Sequence, residues 1–435
     1  MKKHTAHIFF AAASSLLLTA PATHAAQTLT EGLQSGSTIK LNFRTRYEDV
    51  SWDGYEDSNA LTLRSRLSYQ SGAWNGFAMT AEMDNVTDVS HDVDYATWPA
   101  DPINSGSVKH ALISDPEGTD LNQALVSYTT FNNQVKAGRQ RIVLDNARFI
   151  GNVGWRQNEQ TYDGVSFTNK AIRYTNIFVA HITNVNRIFG NETPIQGDYQ
   201  QNSNFVNVSY TGFEAGKLTA YAYLIDNIHD ASLIAIDANK SKAAAISSDT
   251  YGVRWASTAN PAFMYTLEYA TQSDAHDNPL EYNASYMFAE ASTTLGRFVP
   301  ALGYEVLGSD KGTKGFATPF ATLHAFNGWA DRFLTTPTTG IKDAYASLTT
   351  TVMGVQIITS YHDYKADEKS TAAATLGKVF DYGTEWNVSV SKKFGAVAYT
   401  AKYAAFKNGD WAQKVGAATL VSDTTKFWLQ ADWNF

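Results

Sequence analysis

Alternation of apolar and polar residues with a period of two is the feature that most constrains this chain. In IKLNFRTRYE, residues 39–48, Ile39 and Leu41 share one side, and Arg44 and Arg46 share the other. Successive side chains of a β-strand point to opposite faces, so the pattern predicts a strand with one apolar and one polar face. The pattern recurs about eighteen times, in segments of about ten residues, a length that suits a tilted strand across an outer membrane.

The connections between these segments alternate in length. Tight turns such as SGAWN and KFGA follow the even-numbered segments, and long polar stretches follow most of the odd-numbered ones. Short turns at one end and long loops at the other are typical of bacterial outer-membrane barrels. We therefore predict an all-β fold, one transmembrane antiparallel β-barrel of about 18 strands over residues 26–435, with both ends in the periplasm. The long stretches are 89–120, 185–202, 228–247, 310–341 and 409–422.

The N-terminal segment has the features of a secretory signal peptide. Two lysines follow the first methionine, an apolar run covers residues 8–20, and the small residues Thr23 and Ala25 have the spacing of a cleavage site. The apolar run is too short to span a bilayer comfortably, which argues against a signal anchor. We expect residues 1–25 to be a cleaved signal peptide and the mature protein to be exported to the bacterial outer membrane.

Composition excludes several classes of function. The formal net charge is −8 and there is no cysteine, which argues against nucleic-acid binding and removes disulfide and thiolate chemistry. Aromatic residues make up 13% of the chain, which fits a barrel with a lipid-facing aromatic girdle but also a secreted β-sandwich or a carbohydrate-binding protein. The alternating loop lengths favour the barrel. The acidic loop segments match no metal-binding motif, so we predict neither a metal nor a cofactor.

The last ten residues, KFWLQADWNF, repeat the alternation. Trp433 and Phe435 fall on its apolar side. A terminal phenylalanine on such a strand resembles the signal read by the outer-membrane assembly machinery. We expect this strand to close the barrel against the first, with Trp433 and Phe435 in the periplasmic aromatic girdle, and the assembly machinery to be a partner.

Two stretches, residues 136–167 and 315–345, carry a more specific resemblance. With the alternating strands, they make the chain similar to the alginate-export type of outer-membrane protein, a family of barrels with about eighteen strands. The resemblance implies a channel for anionic or sugar-like solutes, including uronate poly- or oligosaccharides. It does not fix alginate as the substrate. The expected partners are outer-membrane lipids, lipopolysaccharide and a small anionic or carbohydrate solute.

Charged residues on the polar side of the first strands are the candidates for the solute path. One interpretation is an anion track, because guanidinium groups pair with carboxylates. The other is an internal bracing ladder in which Glu48 and the other acids neutralise the arginines. The two interpretations are compatible. The candidates in these strands are Arg44, Arg46, Arg64, Arg66, Glu82 and Asp84.

The segment GRQRIVLDNARFIGNVGWRQ adds Arg139, Arg141, Arg148 and Arg156 to the path. If Ala137 faces lipid, strict alternation places Arg139 and Arg141 in lipid as well, which is expensive. We therefore expect a bulge at Gly138, or an early strand end, to turn both inward. Residues 146–160 then form a constriction loop in the lumen. The alternative is an extracellular basic loop on lipopolysaccharide phosphates.

The segment HAFNGWADRF lies in a long connection near the C-terminus. Phe326 and Trp329, beside Asn327 and Asp331, have the chemistry to stack on and hydrogen-bond a sugar. The alternative is a loop that packs on itself and narrows the mouth, and we favour it slightly.

No nucleophile motif appears, and Asp, His and Ser show no recognisable catalytic arrangement in the sequence. We predict a channel and not an enzyme, with no catalytic residue. The alternatives are a non-conducting adhesin or structural barrel and a barrel hydrolase.

Overall fold

The computed structural model describes residues 28–90, 95, 110–190, 197–228, 246–369, 381–409 and 422–435. The predicted signal peptide, residues 1–25, lies outside these ranges. The described chain starts with a short helix, α1 (Leu29–Gln34), whose first turn is closed by a capping box between Thr28 and Glu31. In this described part, no helix has the length and apolar character needed to cross a membrane.

Eighteen strands form a single sheet. Each pairs antiparallel with its neighbour along the chain, and the first strand, β1 (Thr38–Trp52), also pairs with the last, β20 (Thr424–Asn434), from Asn42↔Asn434 to Trp52↔Thr424. The sheet therefore closes, and the predicted barrel of about eighteen strands is confirmed. A small hairpin of β14 (Ser309–Asp310) and β15 (Lys314–Gly315) lies outside it. The strand bounds are β1 Thr38–Trp52, β2 Ser58–Gln70, β3 Phe77–Asp88, β4 Gly118–Thr130, β5 Asn133–Gln140, β6 Thr161–Asn169, β7 Thr175–Asn186, β8 Asp198–Phe213, β9 Gly216–Ile225, β10 Ser248–Ser257, β11 Phe263–Asp274, β12 Asn283–Thr293, β13 Phe298–Leu307, β14 Ser309–Asp310, β15 Lys314–Gly315, β16 Ile341–Val352, β17 Val355–Lys365, β18 Asp381–Phe394, β19 Val397–Asn408 and β20 Thr424–Asn434.

The two faces of the sheet are inverted relative to a soluble protein. Apolar side chains such as Ile39 and Leu267 are 68% and 51% exposed, whereas Arg46 and Glu48 are each 1% exposed. Because side chains alternate along a strand, this distribution places the apolar series outside and the polar series inside. The period-two pattern of the sequence thus describes a lipid-facing exterior and a polar interior.

Short turns connect the strands at the end where α1 lies. The β16–β17 turn consists of Met353 and Gly354, with φ of 51° and 74°, the left-handed pair required by a two-residue hairpin turn. At the same end Phe435 exchanges two backbone hydrogen bonds with Leu41, of 2.9 and 3.2 Å. Its ring lies 6.2 Å from that of Phe43. The assembly role of Trp433 and Phe435 stays a prediction.

Two long connections fold into the barrel. We call residues 141–160, between β5 and β6, the first inner loop, and residues 316–340, between β15 and β16, the second inner loop. They are joined by hydrogen bonds from the Gly151 amide to the Phe320 carbonyl (2.8 Å) and from the Thr322 amide to the Ala147 carbonyl (3.0 Å). The predicted constriction segment, 146–160, therefore lies inside the lumen.

The largest apolar core also lies inside the lumen, between the inner loops and the wall. Phe149 of the first inner loop packs against Tyr221 and Tyr286 of the wall, with ring centroids 5.3 and 5.2 Å away. Phe316 and Phe320 of the second inner loop are fully buried in the same cluster. Apolar packing and backbone pairing thus hold both loops across the pore at this level.

Candidate functional site

The arginines of β1 and β2 line one side of the lumen. Arg44 and Arg64 are directly opposite each other in the β1–β2 register, an arrangement that is destabilising unless other groups compensate it. Arg44 is compensated by Asp432, with Nε 3.0 Å from Oδ1. Arg46 is compensated by Asp115, at 3.2 Å, and lies 4.2 Å from the ring of Trp155.

Arg66 and Arg141 share a network of carboxylates. Arg66 contacts Asp84 and Glu159, each at 2.5 Å. Arg141 contacts Glu82 at 2.6 Å and Glu159 at 2.5 Å. Burial by itself raises the pKa of Glu159, but the two guanidinium groups outweigh it and lower the pKa to about 2. This network has the geometry expected of a bracing ladder.

Arg64 differs from the other inward arginines of β1 and β2, each of which contacts a carboxylate. Its guanidinium donates to the carbonyl of Gln157 at 3.3 Å and to Oδ1 of Asn42 at 2.6 Å. Within the described ranges no carboxylate lies within ion-pair distance of it, and Nε has no hydrogen-bond partner. Arg64 is 2% exposed. Its direct hydrogen-bond partners are therefore neutral, and the nearest carboxylates, Asp84 and Glu159, act on it only from beyond ion-pair distance.

The structure separates Arg139 from Arg141. Along β5, Ala137 is exposed and Gln140 is buried, so Arg139 lies on the outer side of the wall, where Asp163 binds it at 2.8 and 3.1 Å. The expected inward turn of Arg139 is wrong. No register shift occurs at Gly138, and the carboxylate removes the penalty of an unpaired charge on the outer side. Arg141 does reach the lumen, because β5 ends at Gln140.

Each inner loop carries a charge to a distant part of the wall. Arg148 of the first inner loop binds Glu305 of β13 at 2.7 Å. Arg156 of the same loop binds Glu48 of β1 at 2.8 Å and Asp331 of the second inner loop at 3.1 Å. Asp331 also contacts Lys426 of β20 at 2.8 Å. Ion pairs therefore cross-link both loops and the wall.

A lysine among tryptophans lies at the centre of this arrangement. Lys402 of β19 is 3.7 Å from the ring of Trp329 and 4.2 Å from that of Trp155, distances at which an indole face stabilises a cation. It also lies 2.7 Å from Nε2 of His324, whose Nδ1 is 2.7 Å from Asp331. The second inner loop is therefore anchored to the wall through His324 and Trp329.

The four candidate sugar contacts have protein partners. Asn327 is 4% exposed; its amide nitrogen donates to Glu305 at 2.7 Å, and its oxygen accepts from Arg148 at 3.0 Å. Phe326 lies 4.7 Å beneath the guanidinium of Arg148, and Trp329 and Asp331 make the contacts given above. This geometry favours the packed loop over a sugar-binding loop.

Charged residues of the wall fall into two arcs. Inward basic groups come from β19, β20, β1 and β2, and inward acidic groups come from β11, β12, β13, β16 and β18. The separation is incomplete, because Glu48 and Asp432 lie in the basic arc, and Arg254 of the adjacent strand β10 contacts Glu268 of the acidic arc. The acidic arc comprises Glu268, Glu290, Glu305, Asp343 and Glu385, and the basic arc comprises Arg44, Arg46, Arg64, Arg66, Lys402 and Lys426.

Several of these groups were missed in the sequence. Lys402 and Lys426 have the same inward parity as the arginines, so alternation was a signal that could have found them. Asp115 lies in the β3–β4 connection, outside any strand, and nothing local predicts its contact with Arg46. No cluster of residues able to hold a metal ion occurs in the described ranges.

The docking of the second inner loop is expected to weaken in acid. Burial, aided by Lys402, lowers the pKa of His324 to about 3, although Asp331 opposes the change. A released His324 titrates near 6.5, so protonation favours the released loop as the pH falls from about 6.5 towards 3. Conductance recorded over this range should rise in the native protein and rise less in His324→Gln. Identical pH profiles would contradict the expectation.

Comparison with known proteins identifies the family. The sequence profile described as "Alginate export" matches residues 36–285, more than half of the chain. The chain belongs to the alginate export family. No curated protein sequence matches this member of the family.

Solved structures match the barrel of this family member along nearly its whole length. OccAB4 of Acinetobacter baumannii superposes with a TM-score of 0.66 at 13% identity, over 92% of this chain and 98% of its own. OccK5 (OpdH) of Pseudomonas aeruginosa superposes with a TM-score of 0.64 at 11% identity, over 93% of this chain and 99% of its own. OpdK of Pseudomonas aeruginosa, solved with vanillate, superposes with a TM-score of 0.68 at 11% identity, over 93% of this chain and 100% of its own. The fold is that of an outer-membrane porin, and the protein is located in the bacterial outer membrane.

Proposed function

We propose that this barrel is a porin-type channel for anionic or sugar-like solutes, with uronate oligosaccharides among the candidates, and that arginines of the lumen determine its preference. The observation that carries the proposal is Arg64, a guanidinium held inside the lumen without a carboxylate partner. Because Arg64 is 2% exposed, it acts on a passing solute carboxylate through its positive charge and not through direct hydrogen bonds.

The neighbouring charges support the same preference. The two arcs of the wall produce a field across the lumen, which orients solutes that carry a carboxylate and hydroxyl groups. OpdK, a barrel of similar fold, was solved with vanillate, an aromatic carboxylate. The net charge of −8 does not oppose the proposal, since salt screens charges beyond about 8–10 Å from the path.

Removing Arg64 and Arg66 tests the proposal. In planar bilayers with a salt gradient, the Arg64→Ser/Arg66→Ser protein should shift its reversal potential towards cations and lose block by uronate oligomers. The expected change in the permeability ratio is about tenfold, since two unit charges within a Debye length of the path together contribute on the order of 1–2 kcal/mol. Arg173→Ser/Arg297→Ser is the matched control, because it removes two exposed arginines from the short turns.

Three outcomes would count against the proposal. A strongly cation-selective native pore, or equal effects of the two double variants, would leave the arginines as structural bracing. Complete absence of conductance would favour the alternative of a non-conducting barrel, in which the inner loops close the lumen permanently.

A further inference from the structure

A serine, a histidine and an aspartate meet on the lumen side of β16 and β17. Ser360 and His362 are successive inward residues of β17, and Ser360 Oγ lies 3.1 Å from His362 Nε2. On the other side of the imidazole, Nδ1 lies 2.9 Å from Oδ1 and 3.1 Å from Oδ2 of Asp343. Nucleophile, base and orienting carboxylate are therefore within hydrogen-bond distance in the order that acyl transfer requires.

We propose that Ser360, His362 and Asp343 form a catalytic centre that hydrolyses small carboxylic esters in the lumen. With Asp343 accepting from Nδ1–H, the free lone pair of the imidazole is on Nε2, which faces the Ser360 hydroxyl. Tyr345 and Tyr364 each stack with the ring, with centroids 5.1 and 5.6 Å away. The imidazole is thus held in the tautomer and orientation that accept the serine proton.

Asn387 supplies the oxyanion donor. Backbone amides of β17 are used in the barrel ladder, so a side chain must stabilise the developing negative charge. The amide nitrogen of Asn387, on the neighbouring strand β18, lies 3.3 Å from Ser360 Oγ. Asn387 is 0% exposed, and its Oδ1 has no partner in the described part of the chain. A preorganised side-chain amide is an established device for binding a tetrahedral oxyanion.

Ser360 lies at the edge of the lumen region that the inner loops fill, on the side of the short turns. It is 8% exposed, as is His362. The next inward residue towards the short turns, Ile358, is only half-buried, and so are the flanking Ser347 and Ser389. The lumen is therefore wider on the short-turn side of Ser360 than on the opposite side. An ester that enters from the side of the short turns therefore reaches Ser360 through this more exposed part of the lumen.

The reaction balances with water as the second reactant. Ser360 Oγ bonds to the ester carbonyl carbon, and its proton passes to His362 Nε2. The carbon–alkoxy bond then breaks, and the alcohol leaves with that proton. Water attacks the acyl-serine, gives its proton to Nε2, and the carboxylic acid leaves as Ser360 recovers the proton. The hydrolysis requires no conduction through the pore, so it stands or falls separately from the proposed channel function.

Labelling of the full-length protein with diisopropyl fluorophosphate tests the centre. We expect one phosphoryl adduct on the native protein, located at Ser360 by peptide mass spectrometry. His362→Gln should slow labelling at least about a hundredfold, the scale of general-base catalysis. Asp343→Asn, which changes a positioning residue, should lower kcat for p-nitrophenyl acetate and leave KM unchanged, because Asp343 does not touch the ester.

Ser347→Ala is the matched control, because Ser347 is the direct cross-strand partner of Ser360. It should label at the native rate, and heat-modified migration on gels verifies that each variant is folded. Absence of labelling in the native protein, labelling at another serine, or an unchanged rate in folded His362→Gln would overturn the proposal. A KM effect of Asp343→Asn equal to its kcat effect would remove Asp343 from the centre.

Discussion

Replacing Asp331 with alanine is expected to release the second inner loop and to raise single-channel conductance several-fold. Asp331 contacts Arg156, Lys426 and His324 at 3.1, 2.8 and 2.7 Å. Lys426 is 6% exposed, and no second carboxylate in the described residues lies within 4 Å of it. Removing one partner of a buried ion pair costs about 3–5 kcal/mol, and release of the loop lets water solvate the charges that Asp331 leaves unpaired.

Conductance and the temperature of heat-modified gel migration measure this effect together. Asp331→Asn keeps the size of the side chain and should have an intermediate effect. Asp277→Ala removes an exposed carboxylate from another loop and should change neither quantity. Native conductance in folded Asp331→Ala would show that the apolar core alone holds the loop.

Replacing Arg148 with methionine is the second large effect that we expect. Arg148 and Glu305 are 2% and 3% exposed and are joined by two hydrogen bonds, of 2.7 and 3.3 Å. Methionine leaves Glu305 as a buried carboxylate without its cation, near Asp343 of the same arc. We expect a loss of about 3–5 kcal/mol in the free energy of docking of the first inner loop, seen as higher conductance and faster proteolysis within residues 141–160.

The double variant Arg148→Met/Glu305→Gln separates charge from packing. Because the double variant removes both charges, its conductance and protease resistance should be close to native. Glu305→Gln alone leaves Arg148 unpaired, so it should raise conductance and lower protease resistance. Additive effects of the two substitutions would show that the residues do not act as a pair. The cycle also tests the contact between the first inner loop and the acidic arc, since Arg148 binds Glu305 of that arc.

Different interactions hold the wall and the contents of the lumen. The wall is formed by strands that pair with one another around a closed sheet and place apolar residues on the outside. The lumen is filled by segments held through ion pairs and aromatic packing, and these contacts include Asp331, Arg148 and Lys402. Substitutions there should therefore alter permeation well before they prevent barrel formation.

The sequence by itself determined the barrel. A period of two over ten-residue segments fixes which residues face lipid, because a one-residue slip would place every arginine of β1 and β2 in the membrane. Loop lengths fix the order of the strands, since a short turn joins only antiparallel neighbours. The inward parity of Arg44, Arg46, Arg64 and Arg66 followed from the same rule.

Only the tertiary structure decided which charges meet. Arg46 contacts Asp115, Arg148 contacts Glu305 and Arg156 contacts Asp331, pairs that are 69, 157 and 175 residues apart. Such contacts depend on barrel closure and on how the loops enter the lumen, neither of which has a local periodicity. The sequence-based prediction placed Arg139 on the lumen side. It lies on the outer side because its partner Asp163, on the next strand, binds it there. Ser360, His362 and Asp343 became a constellation only when β16 paired with β17.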